Sequence, residues 1–303
     1  MEKYAIIYGI ENYIDCLEAD LKYKIVVDSC CDLTPEYKND PHFQIIPLTL
    51  MVSGREIVDD ETFDQREYLR LVAASAECAH TACPSPQAYM QAITEDTEMV
   101  FMVTLSKELS GSYDSAMLGK KLYEEEQAEK GLPAIPVHVF SSDSACCGES
   151  LVAFKLQELA ESGLTFSEIV EKATVYRDEM LTYFVLDNLD TLKKNGRLTG
   201  LAALLATALH IKPIMTSRRG VIIKDDQCRG TQRALQKMVA HFLEKCKNPS
   251  DKTVGITHVN CPERAEYVKQ LLAASSSFRR IYIVDAAGVA TTYANDGGIV
   301  LCG

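Results

Sequence analysis

The residues best suited to chemistry lie in a Ser/Gly turn, Ser106-Lys107-Glu108-Leu109-Ser110-Gly111-Ser112, directly after an apolar run at Met99–Leu105. The run has the composition of a strand buried on both faces of a parallel sheet, and Tyr113 onward has the pattern of a helix. A strand that passes through such a turn into a helix aims unpaired backbone N–H groups at the strand's carboxyl end. That geometry favours an anion. The turn contains neither Gly-x-x-x-x-Gly-Lys-Ser/Thr nor Gly-x-Gly-x-x-Gly. With hydroxyls and few positive charges, it suits a singly charged carboxylate better than a polyphosphate. A Ser-capped helix without a ligand is the alternative, since Ser is an ordinary N-cap.

Other chemistries have weaker footing. Ser110 has no Gly-x-Ser-x-Gly around it, and of the six histidines only His80, beside Thr81, stands next to a candidate loop. A hydrolase would therefore need a base supplied by the fold. The cluster Asp59-Asp60-Glu61 lacks the alternating oxygen ligands of a calcium loop and reads as a solvated turn, so no metal site is expected. Eleven cysteines include the adjacent pairs Cys30-Cys31 and Cys146-Cys147 but no Cys-x-x-Cys, a pattern of reduced thiols.

Composition narrows the field further. The 303 residues are 47% hydrophobic and carry a net charge of −12, with no dense Lys/Arg stripe. This argues against nucleic-acid binding and fits a soluble cytoplasmic protein of about two domains. No run approaches the ~20 apolar residues of a membrane span, leaving at most transient contact with a membrane surface.

The elements that must position the turn alternate between strand and helix. Lys24–Val27 is a predicted strand ending in Asp28-Ser29, and Phe43–Val52 is a second, interrupted by Pro47. Residues 53–80 form a small sub-lobe or a hairpin on the main sheet. Thr81-Ala82-Cys83-Pro84-Ser85-Pro86 is a loop that pre-sets a helix. Val137–Phe140 is a strand ending in Ser141-Ser142-Asp143-Ser144. Several strands thus stop in Ser, Thr or Asp, which would line one carboxyl edge, where doubly wound sheets bind ligands. Gly163-Leu164-Thr165 marks a boundary. Arg197–Leu209 is a predicted Ala-rich helix, whose small side chains let a neighbouring helix or a slender ligand lie close.

The ordered set Lys24–Ser29, Thr81–Pro86, Ser106–Tyr113, Leu192-Lys193-Lys194-Asn195-Gly196-Arg197 and Ile211-Lys212-Pro213-Ile214 resembles the DegV family. These are bacterial fatty-acid-binding proteins that serve as the acyl-carrying subunit of fatty acid kinase. The resemblance runs from Lys24 to the C-terminus and implies an α/β fold of two domains with a lipid tunnel between them. Residues 24–165 would form a largely parallel, doubly wound sheet domain, and 166–303 a second α/β domain with a mixed or antiparallel sheet. Residues 1–23 are an N-terminal extension.

By the same resemblance the chain binds one long-chain fatty acid and has no other cofactor. Thr81, Ser110, Gly111 and Tyr293 would hold the carboxylate. Arg197 would serve kinase coupling or phosphate stabilisation. A separate kinase would phosphorylate the acid, so this chain would be non-catalytic. The alternative is a serine-dependent lipid hydrolase or acyl-transfer enzyme using Ser110. Three departures stand out: Ala82 where the family's loop usually has Ser, Asn195 at the first Gly of Gly-Gly-Arg, and Tyr293 at the position often held by His.

Overall fold

A computed structural model describes residues 22–94, 96–198 and 210–303. The acidic stretch Met1–Leu21 lies outside these residues, as does the predicted Ala-rich helix from residue 199 onward. The first part of the chain comprises β1 (Lys24–Asp28), α1 (Pro35–Lys38), β2 (Phe43–Ile46), β3 (Thr49–Val52), β4 (Arg55–Val58), α2 (Gln65–Ala74), β5 (His80–Ala82) and α3 (Pro86–Gln91). It continues through β6 (Val100–Thr104), α4 (Ser112–Lys130), β7 (Val137–Ser141), α5 (Cys147–Ala160) and α6 (Phe166–Glu179). The remainder runs β8 (Thr182–Val185), α7 (Asp190–Lys194), β9 (Ile211–Arg218), β10 (Val221–Arg229), α8 (Thr231–Lys245), β11 (Thr253–His258), α9 (Pro262–Ser275), β12 (Arg280–Asp285), α10 (Gly288–Ala294) and β13 (Ile299–Cys302).

Three sheets result. Strands β2-β1-β6-β7 form a parallel sheet, and β10-β9-β8-β13-β11-β12 a mixed one in which only β11 and β12 run parallel. The fold is therefore α/β, with a parallel and a mixed sheet, as the resemblance implies. Strand β6 is buried at all five positions, as expected for the interior of a sheet covered on both faces.

The third sheet, β4-β3-β5, is antiparallel and separate from the main one. The predicted single strand Phe43–Val52 is accordingly two strands in two sheets. Pro47 lacks the N–H that would continue the ladder, and beyond it the Leu48 N–H donates to Ser29 Oγ at 3.0 Å. The chain there leaves one sheet and enters the other.

Helix α5 lies between the two large sheets, packing on β1 and β6 from one side and on β11 and β13 from the other. Nine of its fourteen residues are buried, which a helix needs when no face meets water. Its first turns are built from Cys147, Gly148 and Ser150, small enough to let both sheets approach.

Two buried carboxylates tie the halves of the molecule together. Asp32, after β1, accepts from the Ala287 N–H at 2.7 Å and from Thr257 Oγ1 at 2.9 Å. Asp59, after β4, accepts from the N–H groups of Gly288 and Val289 at 2.7 and 2.9 Å. Both cap the start of α10, where orphan N–H groups need acceptors. The expected solvated turn is thus only partly so. Asp60 does cap its own exposed turn through Thr62, but Asp59 is 3% exposed. A Cβ at Gly288 would fall 2.5 Å from Asp59 Oδ1 and from Leu50 Cδ1, so only glycine permits this approach.

Burial raises the Asp59 carboxyl above its ordinary value, although the Val289 and Gly288 N–H groups pull the other way. A carboxyl raised on folding adds stability that is complete below its unfolded value near pH 4 and is lost as pH rises through the folded value. Thermal unfolding followed across that interval is expected to show Tm falling as pH rises. Asp59→Asn, whose amide cannot accept both N–H bonds, should flatten that slope and lower Tm throughout.

Candidate functional site

A cavity of about 730 Å³, its mouth included, lies between the carboxyl edge of the parallel sheet and the face of the mixed sheet. Cys30, Leu105, Leu109, Ala145 and Cys146 supply the first wall, and Phe184, Leu186, Ile222 and Val300 the second. Val289, Ala290, Tyr293 and Ala294 of α10 close it along one side. The lining is almost wholly apolar, the character of a pocket for an apolar ligand.

Hydrogen bonds across the two sheets hold these walls in register. Ser144 Oγ and Thr182 Oγ1 are 2.7 Å apart, and Ser217 Oγ donates to the Asp143 carbonyl at 3.0 Å. Residues Arg219 and Gly220, with φ of 49° and 81°, make the two-residue hairpin turn between β9 and β10. Ser106 Oγ, at the start of the Ser/Gly turn, donates to the Gly220 carbonyl at 3.1 Å.

The polar end of the cavity gathers side chains from three distant parts of the chain. Thr81 Oγ1 and the Tyr293 hydroxyl are 3.2 Å apart. The Arg197 guanidinium lies over the Tyr293 ring, 5.4 Å from its centroid, an arrangement favoured by the ring's negative face. Arg197 Nε donates to the Leu109 carbonyl at 3.1 Å and one terminal nitrogen to the Asn195 carbonyl at 2.6 Å. Arg197 and Tyr293 line the cavity directly, and no carboxylate pairs with this guanidinium among the described residues.

The other predicted residues sit differently. Thr81 reaches the site through Tyr293. Ser110 Oγ is 3.0 Å from Ser112 Oγ and accepts the Ser112 N–H at 3.2 Å, the local turn that a Ser hydroxyl commonly makes. Neither Ser110 nor Gly111 is part of the cavity wall, although Leu109 is, and Gly111 lies against the Cys83 thiol. The Ser112 N–H is therefore already satisfied. Asn195, at the first Gly of the Gly-Gly-Arg pattern, does not need a glycine's conformational freedom. Its φ is −89°, and Gly196 carries the positive φ of 76° that closes α7.

Cys30 and Cys146 were not expected in the site, yet both face the cavity. Each thiol is raised: for Cys146 by the Cys30 thiol and burial, for Cys30 by burial against a hydrogen bond that favours its thiolate. Both are small side chains of the cavity wall. Behind them Asp28 accepts N–H bonds from Cys30 and Leu105, both at 3.0 Å, and burial pushes its carboxyl up to about 7. The strand end Asp28-Ser29 was visible in the sequence, but its burial was not.

The family described as "Uncharacterised protein, DegV family" matches residues 22–302. A DegV domain-containing protein of Streptococcus pneumoniae is 31% identical over 287 residues, covering 93% of this chain and 98% of that protein. Among solved structures, a DegV-family protein from Ruminococcus gnavus with vaccenic acid is 46% identical, with TM-score 0.89 over 93% of this chain and 100% of the other. The Streptococcus pneumoniae Fatty Acid Kinase (Fak) B3 protein loaded with linoleic acid is 29% identical, with TM-score 0.82 over 93% and 99%.

Tyr293→Phe is expected to remove the Thr81 hydrogen bond while leaving the ring beneath Arg197. The cost should be about 0.5–1.5 kcal/mol. Tyr293→Ala, which also removes the ring, should cost more, and thermal unfolding of the two variants side by side measures the difference.

Proposed function

The chain belongs to the DegV family, and on that premise we propose that it binds a long-chain fatty acid in the cavity and presents the carboxylate to a separate kinase. The observation that carries this reading is an apolar cavity with a single Arg-bearing polar end. Its relatives with vaccenic and linoleic acid support the ligand class, and the Fak B3 relative supports the kinase partner.

The energetics follow from the lining. About fourteen buried methylenes contribute on the order of 10 kcal/mol before ordering and association costs. A hydrogen bond to a charged head group adds only about 1.5–3 kcal/mol. The tail thus dominates affinity, and the head group decides which end faces Arg197. Thr81 and Tyr293 orient the carboxylate, with the Ser110–Gly111 turn beside it. Arg197, a permanent charge with a planar fork, answers the negative charge that grows as the acyl phosphate forms. The chain itself is a non-catalytic carrier: Ser110 pairs with Ser112, and no histidine hydrogen-bonds it among the described residues. We infer a cytoplasmic location, and no described helix is long and apolar enough to cross a membrane.

Organic extraction of the purified protein followed by mass spectrometry is expected to release a long-chain fatty acid. An extract holding only water-soluble metabolites would overturn the carrier reading. Arg197→Ala is expected to keep most of the bound acid and lose most kinase-dependent acyl phosphate formation, both measured on one preparation. Ser110→Ala, which removes a hydroxyl held by Ser112 outside the cavity wall, should act on binding only by loosening the turn, at a cost of about 1 kcal/mol or less, with no esterase activity to lose. Labelling of Ser110 by a serine-directed phosphonate would instead favour the hydrolase.

A further inference from the structure

Where β1 ends against the start of α5, behind the cavity wall, four acidic side chains are buried together: Asp28, Asp32, Asp59 and Glu149. Among the described residues, no Lys, Arg or His side chain pairs with any of them. Three are satisfied by other donors. Asp28 takes two backbone N–H groups, Asp32 an N–H and a hydroxyl, and Asp59 two N–H groups. Glu149 is the exception. It is 0% exposed, and neither of its carboxylate oxygens makes a hydrogen bond. The Asp28 N–H faces it without closing a bond of ordinary geometry.

Buried charges in proteins are paired or hold a metal ion. One oxygen of Glu149, one of Asp28 and Sγ of Cys30 lie within 4.8 Å of one another. An ion with bonds of about 2.0–2.3 Å spans that set after a small closure of the side chains. The hydroxyl of Tyr89, itself 0% exposed, also lacks a partner, and Asp28 and Glu149 both act on it electrostatically.

We propose that Asp28, Cys30 and Glu149 form a buried site for a divalent cation of the zinc type. One sulfur and two carboxylate ligands match the borderline softness and low coordination number of zinc. A calcium or magnesium site would call for about six oxygens and no thiolate. Uptake releases the protons these ligands hold in the free protein. The ion joins the end of β1 to the start of α5 and, through Cys30, sets one wall of the lipid cavity.

The test uses the full chain, purified without chelator, after N-ethylmaleimide has blocked the exposed thiols. Metal analysis is expected to find about one zinc ion per chain, and added Co²⁺ to give near-ultraviolet thiolate absorption and visible bands of a four-coordinate site. Cys30→Ser and Glu149→Gln should each lower Co²⁺ affinity at least about tenfold, whereas Cys146→Ser should retain it. Should Cys30→Ser fail to fold, Glu149→Gln, nearly identical in shape, decides alone. Wild-type protein that takes up neither ion, or variants that bind as wild type does, would overturn the site. The cluster would then be held by protons and water.

Discussion

The structure depends most on two buried carboxylates that reach across it. Asp32 and Asp59 come from loops of the N-terminal half and accept three consecutive N–H groups, Ala287, Gly288 and Val289, at the start of α10. Without them these donors would be buried and unsatisfied, a cost of roughly 1–3 kcal/mol each. Asp32 also takes the Thr257 hydroxyl, whose oxygen in turn accepts the Cys147 N–H at 3.1 Å. One network thereby fixes the start of α10, the end of β11 and the start of α5. Cys146 and α10, both part of the cavity lining, adjoin this network.

Helix α5 explains why the two large sheets can enclose a ligand at all. Packed on both faces, it spaces the sheets apart along most of their contact. Next to its first turn the side chains of Leu105, Phe184, Leu186 and Val300 line the gap between the sheets, with α10 along one side. A cavity with this lining has no favourable partner for water, so an apolar chain fills it better than solvent does.

The polar end works by a relay of contacts. Thr81 meets the Tyr293 hydroxyl, the Tyr293 ring lies beneath Arg197, and Arg197 holds the Leu109 carbonyl of the Ser/Gly turn. The tyrosine joins two roles, a hydrogen-bonding tip and an aromatic face. A histidine at this position would be shorter, and its hold on both neighbours correspondingly weaker. Among the described residues two of the guanidinium nitrogens serve backbone carbonyls, and Arg197 itself lines the cavity.

Much of this was written locally. Strand β1, the buried strand β6 and helix α4 follow from apolar periodicity and from Gly and Pro punctuation, which act over a few neighbouring residues. Motif order directed attention to the loop at Thr81, the Ser/Gly turn and Arg197, and of their predicted side chains Arg197 reaches the cavity wall while Ser110 does not. The sequence by itself therefore determined the alternation of elements and the α/β class. Tertiary structure alone decided that Pro47 divides one apolar run between two sheets. It alone made the short run Ile299–Cys302 an interior strand between β8 and β11, with partners in register more than forty residues away. It also turned Asp59 from an apparent surface charge into a buried cap, and two cysteines into cavity wall. Such assignments rest on what lies across the fold from a residue, and no local pattern of side chains encodes that.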